Sequence, residues 1–431
     1  MKSIFKHIVV TLLTLEAKLV LRRHKPRIIA VTGSVGKTTT KDAIYFALHA
    51  QRSVRRNQKS FNSEIGVPLT ILGLQNQWGS ALGWGAVLVV GLYRAFFSKE
   101  YPEWLILEAG VDAPGDMRKL CRWLAPDVTV LTRFPDTPVH VEQFPSPQAV
   151  IAEKRNLVRA LATDGLLVVN YDDPKTRREE PREEQRKITF GLAQGADVRA
   201  RLVKPLIQEG AVVGMQCSVS YGDAVAELHI HGVLGVQPVY AALAGIAVAV
   251  GTGMTLQEAI DGVAGAVHPP GRMRIIPGKN DTIVIDDSYN SSPAALEEAL
   301  ATLGRLKVRG HKIALLGDML QLGEYTVKAH TEAGIHVAEV VDELVTVGVR
   351  ARAIAKSARD AGMATERVHE CSDAYKAADI VLERLTKGDV ILVKGSESGI
   401  RLERAVKVLM AEPERAGELL VRQEEEWLKR K

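Results

Sequence analysis

Cysteine is scarce in this chain of 431 residues, which contains only three. Cys121, Cys217 and Cys371 lie far apart without a CxxC pair, so the sequence argues against a disulfide-stapled secreted scaffold and a cysteine-based metal site. An excess of one charge sign is also missing. The formal net charge of +5 is small for this length, so we expect no nucleic-acid partner. These shortages indicate a cytoplasmic protein with reduced thiols.

Long uninterrupted apolar runs are missing as well. Residues 1–26 resemble a basic amphipathic helix, whose charges interrupt the apolar pattern before the roughly 20 residues that a membrane span needs. A second apolar stretch, 81–93, is also short. Two placements of the N-terminal helix stay open: it packs on the body of the protein, or residues 1–25 and 81–93 make a peripheral contact with the inner membrane face.

A glycine-rich turn at residues 30–40 is the strongest signal in the sequence. It joins an apolar run to a helix-like segment and contains Gly33, Gly36, Lys37 and Thr38. Glycines let backbone N–H groups approach an anion, and the helix start adds partial positive charge. The lysine and threonine supply an ammonium and a magnesium-directed hydroxyl. The turn therefore predicts a site for a nucleoside triphosphate.

This turn is a short variant of the general phosphate-binding pattern, because Val31 stands where that pattern has its first glycine. An ordinary glycine turn is the alternative interpretation. The residues expected around the phosphates are Gly33, Ser34, Val35, Gly36, Lys37, Thr38 and Thr39.

Short apolar runs alternate with helix-length segments along most of the chain, which is typical of parallel α/β sheets. A break at residues 268–271, with two prolines and a glycine, indicates a linker. Before it, strands are predicted at 28–31, 104–107, 128–132 and 166–170, short alternating strands over 186–231, and helices at 239–250 and 256–263. After it, strands are predicted at 282–286, 312–316, 343–348 and 390–393.

We therefore predict an α/β protein in three parts. Residues 1–26 form the N-terminal helix. Residues 27–270 form a P-loop parallel-sheet ATPase domain with a β-rich sub-region. Residues 271–431 form a Rossmann-like, doubly wound C-terminal domain, and its ligands are expected at the carboxyl ends of the strands.

Two further residues have side chains suited to metal binding. Glu108 follows the apolar run 104–107, where a carboxylate at a strand end can hold a metal by its oxygens. His140 lies in a proline-bounded loop and can reach a metal or a phosphate. A solvated glutamate and a surface histidine are the alternative interpretations.

With these motifs in place, the chain resembles the Mur ligase family over roughly residues 27–410. Several signatures follow in the same order as in that family: the ATP loop (32–38), an Asn-x-Glu-Ile-Gly-x-Pro segment (60–68), the magnesium-binding strand end (107–110), the His and modified-lysine segments (140–142 and 152–154), and the opening of the last domain (271–273). Residues 286–293 and 316–324 are most similar to the D-alanyl-D-alanine-adding branch.

The resemblance implies an ATP- and Mg²⁺-dependent peptide ligase of peptidoglycan precursor synthesis that works through an acyl phosphate and releases ADP. The implied small-molecule substrates are a UDP-muramoyl peptide and D-alanyl-D-alanine. We expect a monomer.

The resemblance also assigns roles to individual residues. Those implied in catalysis are Lys37, His140 and Lys154, and those implied in metal binding are Thr38, Glu108, His140 and Lys154, the last as a carbamate. Arg272 and Asp287 are expected to hold ATP from the side opposite the loop. The implied substrate contacts are Asn62, Glu64, Asn290, Ser292, Lys394 and Ser396. From the residues alone, a lysine like Lys154 on a predicted helix is more often an exposed charge, and the substrate residues also fit caps and turns.

Two departures from the family pattern keep other hypotheses open. About 26 residues precede the first strand, where the family has a domain that grips uridine diphosphate, so we expect the acceptor to be held differently or to be another molecule. Gln237 stands where the family pattern has a histidine, and Pro238 and Ala241 stand where it has asparagines that help read adenine. The alternatives are a Mur-type ligase with a membrane-proximal acceptor and a catalytically weak nucleotide-binding partner of wall assembly.

Overall fold

The computed structural model describes residues 2–57, 62–77, 80–397 and 399–429. Its strands are β1 (Arg27–Thr32), β2 (Val54–Arg56), β3 (Trp104–Glu108), β4 (Val128–Leu131), β5 (Leu166–Asn170), β6 (Arg186–Gly191), β7 (Val198–Gln208), β8 (Ala211–Tyr221), β9 (Ala224–His231), β10 (Arg274–Gly278), β11 (Thr282–Asp287), β12 (Lys312–Gly317), β13 (Glu343–Val347), β14 (Val368–Cys371) and β15 (Val390–Lys394).

The helices are α1 (Lys2–His24), α2 (Lys37–His49), α3 (Gly66–Leu72), α4 (Ala81–Phe97), α5 (Asp116–Cys121), α6 (Pro147–Lys154), α7 (Asn156–Arg159), α8 (Pro174–Arg177), α9 (Val236–Gly251), α10 (Leu256–Ala264), α11 (Pro293–Arg305), α12 (Thr326–Val340), α13 (Arg352–Asp360), α14 (Ala374–Arg384), α15 (Glu403–Leu409), α16 (Ala416–Leu419) and α17 (Glu425–Leu428).

The first sheet has the strand order β2-β3-β1-β4-β5-β6-β7-β8-β9. Strands β2 to β7 pair in parallel along this order, and β7, β8 and β9 pair antiparallel. The β-rich sub-region predicted from sequence is therefore a continuation of the parallel sheet rather than a separate layer. Backbone pairing between β6 and β7 joins the sub-region to the parallel sheet, and sequence periodicity does not reveal this pairing.

Helices cover both faces of this sheet, which explains why its central strands are apolar throughout. Leu105 and Leu107 of β3 pack against α1, α3 and α4. Trp104 and Ile106, whose side chains alternate with them, belong to the core that includes α2 and α9. Because the central strands are buried on both faces, β1 and β3 hold their carboxyl ends, where the glycine-rich turn and Glu108 lie, in a rigid frame.

The second sheet has the order β10-β11-β15-β12-β13-β14. All neighbours are parallel except β10, which pairs antiparallel with β11. The predicted α/β fold with two parallel sheets is confirmed. Strand β10 was not predicted because it contains Pro277, and proline within a strand is tolerated mainly at a sheet edge, as here.

The N-terminal helix packs on the body of the protein. Val9, Leu13, Ala17 and Val20 of α1 are buried in the cluster with α3 and α4. The expectation of a basic polar outer face is only partly met, because Phe5, Ile8, Leu12 and Leu15 are exposed. None of the helices in the described ranges is both long and apolar enough to cross a membrane.

One carboxylate is buried between α1 and α4. Glu16 is 6 % exposed, and its Oε2 has no hydrogen-bond partner. It packs on Gly91 of α4, which has no side chain to displace it. Burial raises the pKa of Glu16 to about 7.

We predict that Glu16→Gln stabilises the protein in a pH-dependent way. The Glu16 carboxyl binds its proton more tightly in the folded protein than in the unfolded chain. Below the ordinary pKa the group is protonated in both states, so its burial does not lower the free energy of unfolding. As the pH rises to about 7, the charged form increasingly destabilises the folded protein. The substitution should raise the free energy of unfolding by about 2 kcal/mol at pH 8 and by less at pH 5, measured by urea denaturation. Glu100→Gln, at an exposed position, is the control. An equal gain at both pH values would contradict the prediction.

Candidate functional site

The glycine-rich loop between β1 and α2 forms the floor of the site. Gly36, at φ 81°, directly precedes α2, so the unpaired N–H groups of the first helical turn face the loop. The Ser34 N–H donates to the Arg133 carbonyl at 2.8 Å, and the Thr132 hydroxyl donates to the Val35 carbonyl at 2.6 Å. The loop is thereby tied to the end of β4.

Lys154 holds the same loop from α6. Its Nζ donates to the Gly33 carbonyl at 2.8 Å and to the Ser34 hydroxyl at 2.9 Å. The side chain is buried, and burial together with the charge of Lys37 lowers the pKa of Lys154 well below its usual range. The structure thus gives this lysine a loop-holding contact that sequence analysis did not predict.

Glu108 lies at the centre of a cluster of polar groups at the end of β3. Its Oε1 accepts hydrogen bonds from the Thr38 hydroxyl at 3.2 Å and from Asn62 Nδ2 at 3.3 Å. Its Oε2 has no hydrogen-bond partner and lies 3.9 Å from Nζ of the buried Lys41. A buried carboxylate oxygen beside a threonine hydroxyl is the kind of hard donor set that Mg²⁺ prefers.

This donor set fits a metal that is shared with a substrate. Over the residues that the structure describes, no group of three or more His, Cys, Asp and Glu side chains could hold a metal alone. Mg²⁺ usually takes one or two protein oxygens and completes its octahedron with water and phosphate oxygens. Thr38 and Glu108 therefore suit Mg²⁺ that arrives with a nucleotide.

Lys37 and His140 bring titratable groups into the same space. Burial lowers the pKa of Lys37, and the nearby Glu108 opposes that shift. Burial likewise lowers the pKa of His140, while the Asp112 carboxylate, 3.7 Å from Nε2, opposes it. His140 itself adopts φ 69°, a conformation uncommon for a residue with a side chain.

The second sheet supplies the opposite wall. The Arg272 guanidinium lies 4.0 Å over the ring of Tyr289, and its Nη2 reaches the Thr38 hydroxyl at 3.5 Å. Asp287 accepts from Lys394 Nζ at 2.5 Å and from the Met273 N–H at 3.2 Å. Arg272 is thus a cation that the second sheet presents to the loop of the first.

A contact between the two sheets was missed by sequence analysis. Glu298, on α11, accepts hydrogen bonds from Arg133, after β4, and from Gln237, at the start of α9. Gln237 occupies the segment in which the sequence showed only departures from an expected pattern. No motif marks Glu298, which stands in the middle of a helix, so its role emerges only from the packing of α11.

Most of these groups line one cavity of about 370 Å³ between the two sheets. A wider surface depression of about 490 Å³ beside β2, which Arg55, Arg56 and Tyr101 line, contains none of the residues predicted for the site. The cavity joins a glycine-rich loop, a buried carboxylate and an arginine from another sheet, an arrangement suited to phosphoryl transfer.

Two family models match the chain. The Mur ligase middle domain matches residues 87–249, and the Mur ligase, glutamate ligase domain matches residues 271–397. The chain belongs to the Mur ligase family. The resemblance drawn from the sequence motifs is thereby confirmed.

Relatives within the Mur ligase family are similar over most of the chain. A UDP-N-acetylmuramoyl-tripeptide--D-alanyl-D-alanine ligase of Bacillus subtilis (strain 168) is 28% identical over 398 residues, covering 92% of this chain and 79% of the relative. The enzyme of the same name from Escherichia coli (strain K12) is 24% identical, covering 89% and 76%.

Solved structures of Mur ligases share the fold. The MurF ligase from Thermotoga maritima in complex with ADP has a TM-score of 0.75 and 26% identity, covering 94% of this chain and 84% of that one. A folylpolyglutamate synthase from Mycobacterium tuberculosis has a TM-score of 0.64 and 16% identity, covering 95% and 96%, and so shares the fold alone.

The structure places most of the predicted Mur ligase site residues on the cavity wall. Those that line it are Ser34, Val35, Gly36, Lys37, Thr38, Thr39, Asn62, Glu108, His140, Lys154, Arg272, Asp287, Asn290, Ser292 and Lys394. Ser292 also caps α11, since its hydroxyl accepts from the Ala295 N–H. The functions assigned to these residues stay predictions.

Three predicted residues lie elsewhere. Gly33 is behind the loop, where its carbonyl accepts from Lys154. Glu64 forms an ion pair with Lys6 at 2.8 Å, and its side chain is 49% exposed. Ser396 is buried, accepting from the Leu320 N–H and donating to the Ser291 carbonyl. Ser60 and Phe61, which open the predicted substrate-side segment, lie outside the described residues.

The predicted role of Lys394 also needs correction in its chemistry. The resemblance implied only that it contacts a substrate. In the structure it is 2% exposed, and its Nζ contacts Asp287 at 2.5 Å and the Asn290 carbonyl at 3.0 Å. Its charge is therefore already compensated, because a buried ammonium requires a partner.

We predict that Gly33→Ala weakens nucleotide binding. A Cβ at Gly33, which has φ 144°, would lie 2.0 Å from the Thr132 hydroxyl that anchors the loop. The apparent affinity for a non-hydrolysable ATP analogue should fall at least about tenfold, measured by calorimetry. Gly222→Ala is the matched control, because Gly222 also has positive φ and nothing lies within 4 Å of its Cβ position. Unchanged affinity in Gly33→Ala would contradict the anchoring.

Proposed function

We propose that this protein is an ATP-dependent ligase that forms ADP and joins D-alanyl-D-alanine to a UDP-muramoyl peptide in the cytoplasm, as a step of peptidoglycan precursor synthesis. The cavity in which Lys37, Thr38 and Glu108 of one sheet face Arg272 of the other carries the proposal. The names of the relatives from Bacillus subtilis and Escherichia coli support the same reaction.

Two bonds are exchanged in this reaction. A carboxylate oxygen of the muramoyl peptide attacks the γ-phosphorus of ATP, the bond to ADP breaks, and an acyl phosphate forms. The amine then attacks the acyl carbon, phosphate leaves, and the amine loses a proton. Both partners in the first step are anions, so cations and positioning supply most of the rate acceleration.

Lys37 and Arg272 are proposed to supply this positive charge. Lys37 begins α2, where the helix terminus and the loop N–H groups also favour an anion. Stacking on Tyr289 holds Arg272 in place, and its Nη2 is already at Thr38. Because the two cations come from different sheets, the site is complete only when the sheets are together.

Thr38 and Glu108 are proposed to hold Mg²⁺. The orphaned Oε2 of Glu108 and the adjacent Thr38 hydroxyl fit this role. When bound, the metal supplies positive charge to the phosphate oxygens. Asn62, which donates to the same carboxylate, is proposed to orient it toward the cavity and to contact the acceptor.

Lys154 is proposed to exist as a carbamate in the active enzyme. A neutral amine attacks CO₂, an N–C bond forms, and a proton leaves, so the group becomes an anionic oxygen donor. Burial and the charge of Lys37 lower the pKa of Lys154, which favours the neutral amine that this step needs. His140, whose pKa is also lowered, is proposed to position the acyl phosphate as a neutral imidazole.

A Mur-type ligase with a membrane-proximal acceptor is the second candidate. It is favoured by the exposed apolar side chains of α1 and α4, two helices whose buried sides pack in one cluster with α3. A nucleotide-binding protein with little catalysis is the third candidate. Nucleotide binding alone would not require Glu108, His140 and Lys154 together.

We predict that release of ADP and phosphate requires both UDP-muramoyl-tripeptide and D-alanyl-D-alanine. Lys37→Ala should lower kcat/KM about a hundredfold or more, because a charge facing the phosphates is removed. Lys204→Ala, on an exposed part of β7, is the control. Turnover with another acceptor would favour the second candidate, and no turnover with any substrate pair would favour the third.

We predict a carbamate on Lys154 that is detectable without turnover. Protein equilibrated with ¹³C-bicarbonate should show a carbamate ¹³C resonance that is lost in Lys154→Arg and retained in Lys175→Arg. The arginine keeps a charge but cannot react with CO₂ at neutral pH. A spectrum in which the two variants match would contradict the modification.

A further inference from the structure

The outer side of α4 is an exposed apolar surface. Leu82 is 89% exposed, Val89 69%, Tyr93 60% and Phe97 66%. The buried positions of this helix, Trp84, Val87, Gly91 and Ala95, all lie on the opposite side. Phe5, Ile8, Leu12 and Leu15 of the neighbouring α1 are exposed too. Contiguous apolar surface of this kind usually marks an interaction site.

Helix α1 lies against α4 along its length. Glu16 packs on Gly91, and further along both helices Arg23 donates to the Ala95 carbonyl at 3.1 Å. The two helices therefore run in the same direction and end near each other. We call their exposed apolar side chains, represented by Ile8, Leu12, Val89, Tyr93 and Phe97, the α1–α4 surface.

Charge around this surface is predominantly positive, although Glu100 is exposed beside Lys99 and Glu64 pairs with Lys6. Over residues 2–25 and 80–99 the sequence contains one carboxylate, Glu16, against eight lysines and arginines. Glu16 is buried between the helices and does not contribute to the outer side. Arg22, Lys25 and Lys99 are exposed, and they lie at or just beyond the carboxyl ends of α1 and α4. An apolar surface with basic residues at one end matches an anionic lipid headgroup layer.

Helix α4 is too short to cross a bilayer. Its 17 residues span about 25 Å at 1.5 Å per residue, less than the apolar thickness of a membrane. It also packs on α1 along its inner side, so only its outer side is available to lipid. The geometry suits a helix that lies in the interface plane.

We propose that the α1–α4 surface docks this protein on the surface of a membrane that contains anionic lipid. A second copy of the chain would cover the same apolar side chains. It would offer Arg22, Lys25 and Lys99 no exposed carboxylate from its own α1 or α4. Anionic lipid meets both the apolar and the basic part of the surface.

The test is co-flotation of the full chain with vesicles of phosphatidylglycerol and phosphatidylcholine. Wild-type protein should float with the mixed vesicles, and raising the salt to 0.5 M should weaken the association. The triple variant Leu82→Ser, Val89→Ser and Phe97→Ser should lower the partition coefficient at least about tenfold. The three replaced side chains are largely exposed in the wild-type protein, so the variant should fold. Circular dichroism and ATP-analogue binding check that it does.

A matched triple variant is available elsewhere on the molecule. Leu202, Val327 and Val349 are 78%, 71% and 76% exposed, and replacing all three by serine should leave flotation unchanged. Arg22→Gln, Lys25→Gln and Lys99→Gln together should reduce binding to the anionic vesicles. Wild-type protein that does not float with the mixed vesicles, or dimers that the α4 triple variant dissociates, would overturn the proposal. Ligase turnover in free solution reports on the proposed function separately.

Discussion

The position of the glycine-rich loop is the constraint on which the rest of the site depends. A phosphate loop works only if its N–H groups are held in place before the anion arrives, because ordering them on binding would cost affinity. Here Thr132 and Arg133 tie the loop to β4, and Lys154 ties it to α6. The strands beneath are buried on both faces, which leaves the loop little freedom to move. Gly33 is required because no side chain fits between the loop and Thr132.

The second constraint is that the site is divided between two sheets. The loop, Glu108 and His140 come from the first sheet and its connections, whereas Arg272 and Tyr289 come from the second. Glu298 links the two through Arg133 and Gln237. Such a division lets substrates enter when the sheets separate and excludes water when they meet. In the Mur ligase family this arrangement matches the task of bringing two anions together.

Much of this organisation could be predicted from the sequence. The predicted strands 28–31, 104–107 and 166–170 overlap β1, β3 and β5, because buried parallel strands leave an unmistakable apolar run. The loop and Glu108 were predicted because both follow such strands. Glu64 and Ser396 were placed in the site by motif alone, and the structure directs them to Lys6 and to Ser291 and Leu320 instead. A motif states which residue types follow one another, not where their side chains point.

The sequence by itself determined the α/β fold class, the glycine-rich loop and the polar ends of the central strands, because these depend on local periodicity and on residues close together in the chain. Only the tertiary structure decided that Lys154 holds the loop, that Lys394 is neutralised by Asp287, and that Glu298 joins the two sheets. Each of these contacts joins residues more than 60 positions apart, and each is at least partly buried. The energy of a buried charge depends on the partner that folding brings to it, which no local pattern contains.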